Sequence, residues 1–170
     1  MDWKQVLKEA FVAGSMGSLL SSVVLVMAGR RESGSAAAPV NAVSHWMWDR
    51  ESLRTDAVDW KHTAAGYATH HGAAVFWAAL HAAAAEGRPA LRTPQAVVTG
   101  AVVTSALANL VDYCVVPKRL TPGFEHRLST GAMVGVYGAM ALGLAAGAWL
   151  MRRPPQLRLP QRPQEPQLEE

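Results

Sequence analysis

Half of the 170 residues are hydrophobic and 17% are charged, a balance that excludes an intrinsically disordered chain. A single cysteine, Cys114, excludes an intramolecular disulfide framework and a multi-thiolate metal site. The net charge of +3 and pI near 9.4 do not point to nucleic acid, because the Lys and Arg residues lie in loops beside apolar runs, where lipid headgroups are their natural partners.

Those runs carry the main signal. Four stretches contain no Asp, Glu, Lys or Arg: Ala10 to Gly29, Thr63 to Ala85, Thr93 to Val111 and Leu128 to Met151. About 20 helical residues span the ~30 Å hydrocarbon core of a bilayer. A soluble helical domain rarely keeps charge off every face of four helices. The mean hydropathy of +0.07 is modest only because it averages these runs with a polar first loop and a polar tail. The expected fold is therefore all-α: an integral membrane four-helix bundle over residues 1–151, with spans at about 10–29, 63–85, 93–116 and 128–151.

The first run also has features of a signal peptide, with Lys4 and Lys8 before it and Val26 and Ala28 at small-residue cleavage positions. Its apolar core, Phe11 to Ala28, is long for that purpose, and Arg30 and Arg31 directly after it suit a stop-transfer flank. An uncut anchor is the better reading. In the first loop, a Ser, Gly and Ala stretch gives way at Pro39, a residue that can open a helix. Val40, Val43 and Met47 recur at helical spacing beside Trp46 and Trp48, which predicts a short helix lying in the membrane interface. Gly87 and Pro89 predict a tight hairpin between the second and third spans, and Pro122-Gly123 predicts a turn in the third loop. The tail, residues 152–170, carries five prolines and four glutamines and is expected to be disordered.

In a four-span topology Trp3 and Trp149 lie at one face of the bilayer and Trp46, Trp48 and Trp60 at the other, as a double aromatic belt. The Lys and Arg residues divide eight against eight between the two sides, so charge gives no orientation; the long Arg-containing tail tips the choice towards cytoplasmic termini. Between helices in lipid, association depends on small residues that let backbones approach. The fourth span supplies Gly131, Gly135, Ala139, Gly143 and Gly147 in one row, and Gly100 and Gly14 hold comparable positions in the third and first spans.

Packing does not account for Asp112. An ionisable group within a span costs about 2.5–3.5 kcal/mol on insertion scales unless it faces a partner or water. By helix rise, Asp112 lies ~7 Å from its end of the third span and His70 ~12 Å deep on the same side, with Asn109 one turn beyond Asp112. His45, Glu125 and His126 fall towards the same end. Asp112, His70, Asn109, Glu125, His126 and His45 therefore make a candidate polar site, able to pass a proton or hold a small ion. The metal is unknown, since no ligand spacing such as HExxH occurs. Haem would need an axial histidine in another span opposite His70 and His81, and there is none. No cofactor is expected. Ser15, Ser18, Ser21 and Ser22 lack a neighbouring base or a GxSxG turn, so nucleophilic catalysis has no support.

The segments Pro39-Val40-Asn41-Ala42-Val43-Ser44-His45-Trp46 and Arg119-Leu120-Thr121-Pro122-Gly123-Phe124-Glu125 resemble those of small four-helix inner-membrane proteins of bacteria. The resemblance implies the four spans, a bacterial inner membrane, and that Asn41, His45, Thr121, Pro122 and Glu125 belong together; it implies no activity. The leading expectation is a membrane protein, not an enzyme, whose polar end binds or passes a small ion or proton. The alternative is a structural subunit that docks a second copy or another membrane protein through the Gly-rich fourth span or the tail; a metal- or haem-dependent enzyme comes third.

Overall fold

The computed structural model describes residues 1–152, and all secondary structure among them is helical. The Pro-rich tail expected beyond, residues 153–170, lies outside the described residues. Four long helices dominate: α1 (Trp3–Ala28), α4 (Ala65–Ala85), α5 (Pro94–Leu110) and α6 (Thr130–Arg152). Two short ones, α2 (Ala38–Val43) and α3 (His45–Trp48), sit in the first loop.

α1 starts earlier than its charge-free run. The Asp2 side chain caps it by accepting from the Gln5 amide at 3.1 Å, so Lys4, Lys8 and Glu9 lie within the helix. α5 opens on Thr93, whose hydroxyl accepts from the Ala96 amide at 3.3 Å, with Pro94 at the first helical position. α1 and α5 each end in a widened π turn, Gly29–Ser33 and Val111–Val115, and a third such turn, Trp60–Ala64, leads into α4.

Three of the long helices are long and apolar enough to cross a membrane: Trp3–Ser33, Pro94–Val115 and Thr130–Arg152. α4 has the length, at 21 residues, but is not among them; His70, His71 and His81 dilute its apolarity. The helices alternate in direction. Glu9 near the start of α1 meets Arg152 at the end of α6, and the Asp2 amide donates to Glu86 beyond the end of α4 at 3.3 Å. At the opposite end Ser21 meets His70, and the Ser129 amide before α6 donates to Glu32 after α1 at 2.7 Å.

The interior is built from small side chains. Ala10, Ala13, Ala78, Ala101, Ala108 and Ala148 are buried around Leu144 and Met140, while Phe11, Leu19, Val23, Val102, Leu107, Val134 and Leu142 are exposed. Large apolar groups outside and alanine within invert the usual soluble arrangement. α1 is the central helix, wedged between α4 and α6. A Cβ on Gly14 would lie 2.5 Å from the Val75 backbone of α4; one on Gly143 would lie 2.4 Å from the Met16 carbonyl and one on Gly147 2.4 Å from Ala13 Cα.

The fourth-span glycine row is thus used in half. Gly143 and Gly147 press on α1, whereas Gly131 meets nothing beyond its own neighbour Ser129 and Gly135 only Val24 at an ordinary 3.4 Å. Gly143 and Gly147 are not free to dock a second chain. Gly100 faces inward to His81, whose Cε1 would lie 2.9 Å from an added Cβ.

The interfacial helix expected in the first loop is a buried one. All six residues of α2 are buried, as are Ser44 and His45. The reason is Asn41, fully buried, whose amide donates to the carbonyls of Thr55 at 2.8 Å and Ala57 at 2.9 Å and whose oxygen accepts from the Thr63 hydroxyl at 2.6 Å. A side chain bonded to two other stretches of the loop, at 55–57 and at Thr63, cannot lie on a surface. α2 also abuts α4 so closely that a Cβ on Gly66 would lie 2.0 Å from the Val40 carbonyl oxygen. The 117–127 loop closes over α2: Gly123, at φ +91°, sits where a Cβ would be 2.4 Å from the Ala42 carbonyl oxygen.

Candidate functional site

Beneath this cap, a cavity of about 250 Å³ lies between α4 and α5, closed behind by α1 and α6. Phe76 and Trp77 line the cavity from α4, and the π turn Val111–Val115 that ends α5 lines it opposite. That turn carries Asp112 into the cavity wall. Two turns inside the start of α6, Tyr137 donates its hydroxyl to Asp112 Oδ2 at 2.6 Å. This bond is what makes Asp112 tolerable in a mostly apolar wall, since a buried carboxylate without a donor is destabilising by several kcal/mol.

His70 forms the opposite wall. Its Nε2 lies 2.8 Å from Ser21 Oγ of α1, and that hydroxyl donates to the Gly17 carbonyl at 2.8 Å. With the serine proton directed to its own helix, its oxygen accepts from His70 Nε2, leaving Nδ1 of the neutral ring as an acceptor. The two polar pairs, Tyr137–Asp112 and Ser21–His70, are therefore separate, and each leaves one acceptor, Asp112 Oδ1 and His70 Nδ1, without a partner inside the pair. Around them the wall is aromatic: Trp46, Phe76, Trp77, Phe124 and Tyr137. Trp46 is held by its indole N–H, which donates to the Thr121 carbonyl at 2.8 Å. Tyr137 is braced by Tyr113 and Phe124, at ring centroid distances of 6.3 and 6.2 Å.

The remaining residues of the expected polar site are placed elsewhere. Asn109 faces a different groove, on the far side of Tyr137, with Ser105 and Gly138. Glu125 sits behind Tyr113, whose hydroxyl donates to it at 3.5 Å, and exposed His126 lies 3.8 Å from the same carboxylate. His45 is buried in the cap, its Nδ1 2.9 Å from the Ala42 carbonyl oxygen. Among the described residues no three His, Cys, Asp or Glu side chains gather as a metal-binding group. His70 and His81 do not share a ligand space, because His70 turns to Ser21 while His81 Nδ1 pairs with Thr104 Oγ1 of α5 at 3.2 Å. The two segments that carry the family resemblance do touch: Trp46 bonds to Thr121, and His45 lies against Gly123.

No family model, curated protein or solved structure matches this chain. The likeness seen in the 39–46 and 119–125 segments rests on those segments alone.

Three groups escaped sequence reasoning. Tyr137 sits in the apolar fourth run with nothing beside it in sequence to mark it; only its position two turns inside α6, level with Asp112, would have suggested the pairing. Ser21 was one of four similar serines. At the other end, Glu9 and Arg152 form a buried ion pair, with side chains 8% and 3% exposed. Arg152 Nε donates to Glu9 Oε1 at 2.8 Å, and a second nitrogen reaches the same oxygen. Both lie just beyond the charge-free runs used to draw the span limits. A second cavity, of about 280 Å³, adjoins this pair and includes His81 and Thr104; Trp77 borders both cavities.

The loop beside the cap carries its own ionic cluster. Asp59 accepts from the His62 amide at 2.5 Å and from His62 Nδ1 at 2.8 Å, and these hydrogen bonds hold its carboxyl below the usual carboxylate range. Glu51 is likewise lowered by the Lys61 ammonium, 2.7 Å away.

Proposed function

We propose that this chain is a four-span membrane protein that binds a small, largely apolar molecule in the cavity between α4 and α5. The observation that carries the reading is the cavity's composition: an aromatic and aliphatic wall interrupted only by a few polar groups, chiefly Asp112 with Tyr137 and His70 with Ser21. That pattern suits a ligand held by shape and oriented by one or two hydrogen bonds, and it suits a bare ion poorly, because an ion needs several converging polar ligands and this wall offers two separate pairs. α4 joins the three apolar helices as a span because it lies antiparallel between α1 and α5; its histidines turn to neighbouring helices and not to lipid. The outward-facing large apolar side chains support the bilayer as solvent, and the resemblance supports a bacterial inner membrane. The reading assigns no catalytic step.

Two measurements test it. In a Cys114→Ser chain reconstituted in vesicles, cysteines at Ala57 and Ala90 are labelled from opposite faces; labelling from one face overturns the topology. In mild detergent, bromobenzene quenches Trp46 and Trp77 emission saturably, and Ala74→Leu, which fills the cavity from a buried wall position, removes the saturable part. Quenching that is linear and equal in both proteins overturns the binding site.

A further inference from the structure

The wall of this cavity is asymmetric in charge. Among the described residues that line it, Asp112 is the one acid and none is Lys or Arg. Tyr137 supplies Asp112 with a neutral donor to one oxygen, Oδ2, and no lysine or arginine among the described residues forms an ion pair with it. A second carboxylate, Glu125, stands just behind through Tyr113, so the nearest charge beyond the wall adds to the negative potential. His126, the residue paired with Glu125, is on the exposed side.

The rest of the wall matches that potential. Five aromatic rings, Trp46, Phe76, Trp77, Phe124 and Tyr137, surround the space, and an aromatic face is negative at its centre. Aromatic rings around a carboxylate attract one class of small molecule: an organic cation whose charge is spread over an apolar body, as in a substituted ammonium. A neutral molecule of the same shape would fill the volume but leave Asp112 without a counter-charge. An anion would meet a carboxylate in an apolar wall, where repulsion is weakly screened.

Resting on the cavity-binding reading above, we propose that the ligand is a lipophilic organic cation, its ammonium at Asp112 and its apolar body against Trp46, Phe76 and Trp77. The same ammonium chemistry is found in free amines and in choline headgroups of lipids.

The test uses the full chain in a non-ionic detergent and three probes of similar shape: benzyltrimethylammonium, its uncharged carbon isostere neopentylbenzene, and benzenesulfonate. The readout is the saturable change in tryptophan emission. Benzyltrimethylammonium is expected to bind at least about tenfold more tightly than neopentylbenzene, with no saturable signal from benzenesulfonate. Asp112→Asn, which keeps an acceptor for Tyr137, is expected to bring the two affinities together. The comparison of isosteres on the unaltered protein stands even if that variant fails to fold. Equal affinity for the cation and its neutral isostere overturns the proposal while leaving the cavity reading intact; failure of every probe, bromobenzene included, overturns both. Displacement of the bound cation by short-chain phosphatidylcholine would assign the ammonium to a lipid headgroup, and its absence to a free amine; either keeps the proposal.

Discussion

Gly143 leaves no room for a side chain. An alanine there would place its Cβ 2.4 Å from the Met16 carbonyl oxygen and 2.5 Å from both Gly17 Cα and Gly17 N. All three obstacles are backbone, so no side chain can swing aside. To restore an ordinary contact of 3.4 Å, α1 and α6 must part by about 1 Å along their shared face, which also loosens Ala13 against Gly147 and thins the packing around Leu144. Overpacking of this kind destabilises by about 1–3 kcal/mol. The added methyl recovers at most ~0.8 kcal/mol, less than the overpacking costs. Gly143→Ala is therefore expected to lower unfolding stability in mixed micelles by about 1–3 kcal/mol. Gly138→Ala, on the same helix with nothing within 4 Å of the new methyl, should leave it unchanged. Equal stability of the two variants would refute the assignment of this glycine to the helix contact, and with it the account of α1 as the central helix.

The buried ion pair gives a second expectation: Glu9→Gln, which leaves Arg152 without its counter-charge, should destabilise by about 3–5 kcal/mol, whereas Glu9→Met with Arg152→Met should recover most of that loss, as read by thermal unfolding in detergent. Asn41→Ala removes three hydrogen bonds from a fully buried side chain and should cost about 2–4 kcal/mol, with new proteolytic cleavage appearing between Thr55 and Thr63. The Asp59 carboxyl is lowered from its ordinary 3.8 by its bonds to His62. The stability it contributes is present above that ordinary value and is lost as pH falls through the lower, folded-state one. Amide exchange at His62 and Thr63, corrected for its intrinsic pH dependence, should accelerate only below about pH 4, and Asp59→Asn should remove that step.

Much of the architecture is legible because in these helices absence of charge and helix length are local properties. The runs around residues 10–29, 93–111 and 128–151 became α1, α5 and α6 with shifts of a few residues at most ends. α1 is the exception: Lys4, Lys8 and Glu9 belong to it, since Asp2 starts the helix and Glu9 finds Arg152. Helix rise alone placed Asp112 and His70 towards one end, and they face one cavity. It could not separate Asn109, because one turn along a helix also rotates the side chain to another groove. His45 shows the complementary limit. Its segment reads as amphipathic, yet Asn41 binds two separate pieces of loop through three hydrogen bonds, and no periodicity reveals that a polar side chain will be the centre of a fold and not its surface. Tyr137 is invisible for the same reason: its value lies entirely in Asp112, a partner on another helix.

The tightest helix pair in the molecule joins α1 to α6, segments made well over a hundred residues apart in synthesis. Throughout that interval α1 has only α4 to cover its small-residue face, and Glu9 has no guanidinium to meet it. A chain halted anywhere before α6 thus presents a bare carboxylate and an uncovered glycine seam. Arrival of α6 therefore covers the glycine seam of α1 and brings Glu9 its counter-charge in one step.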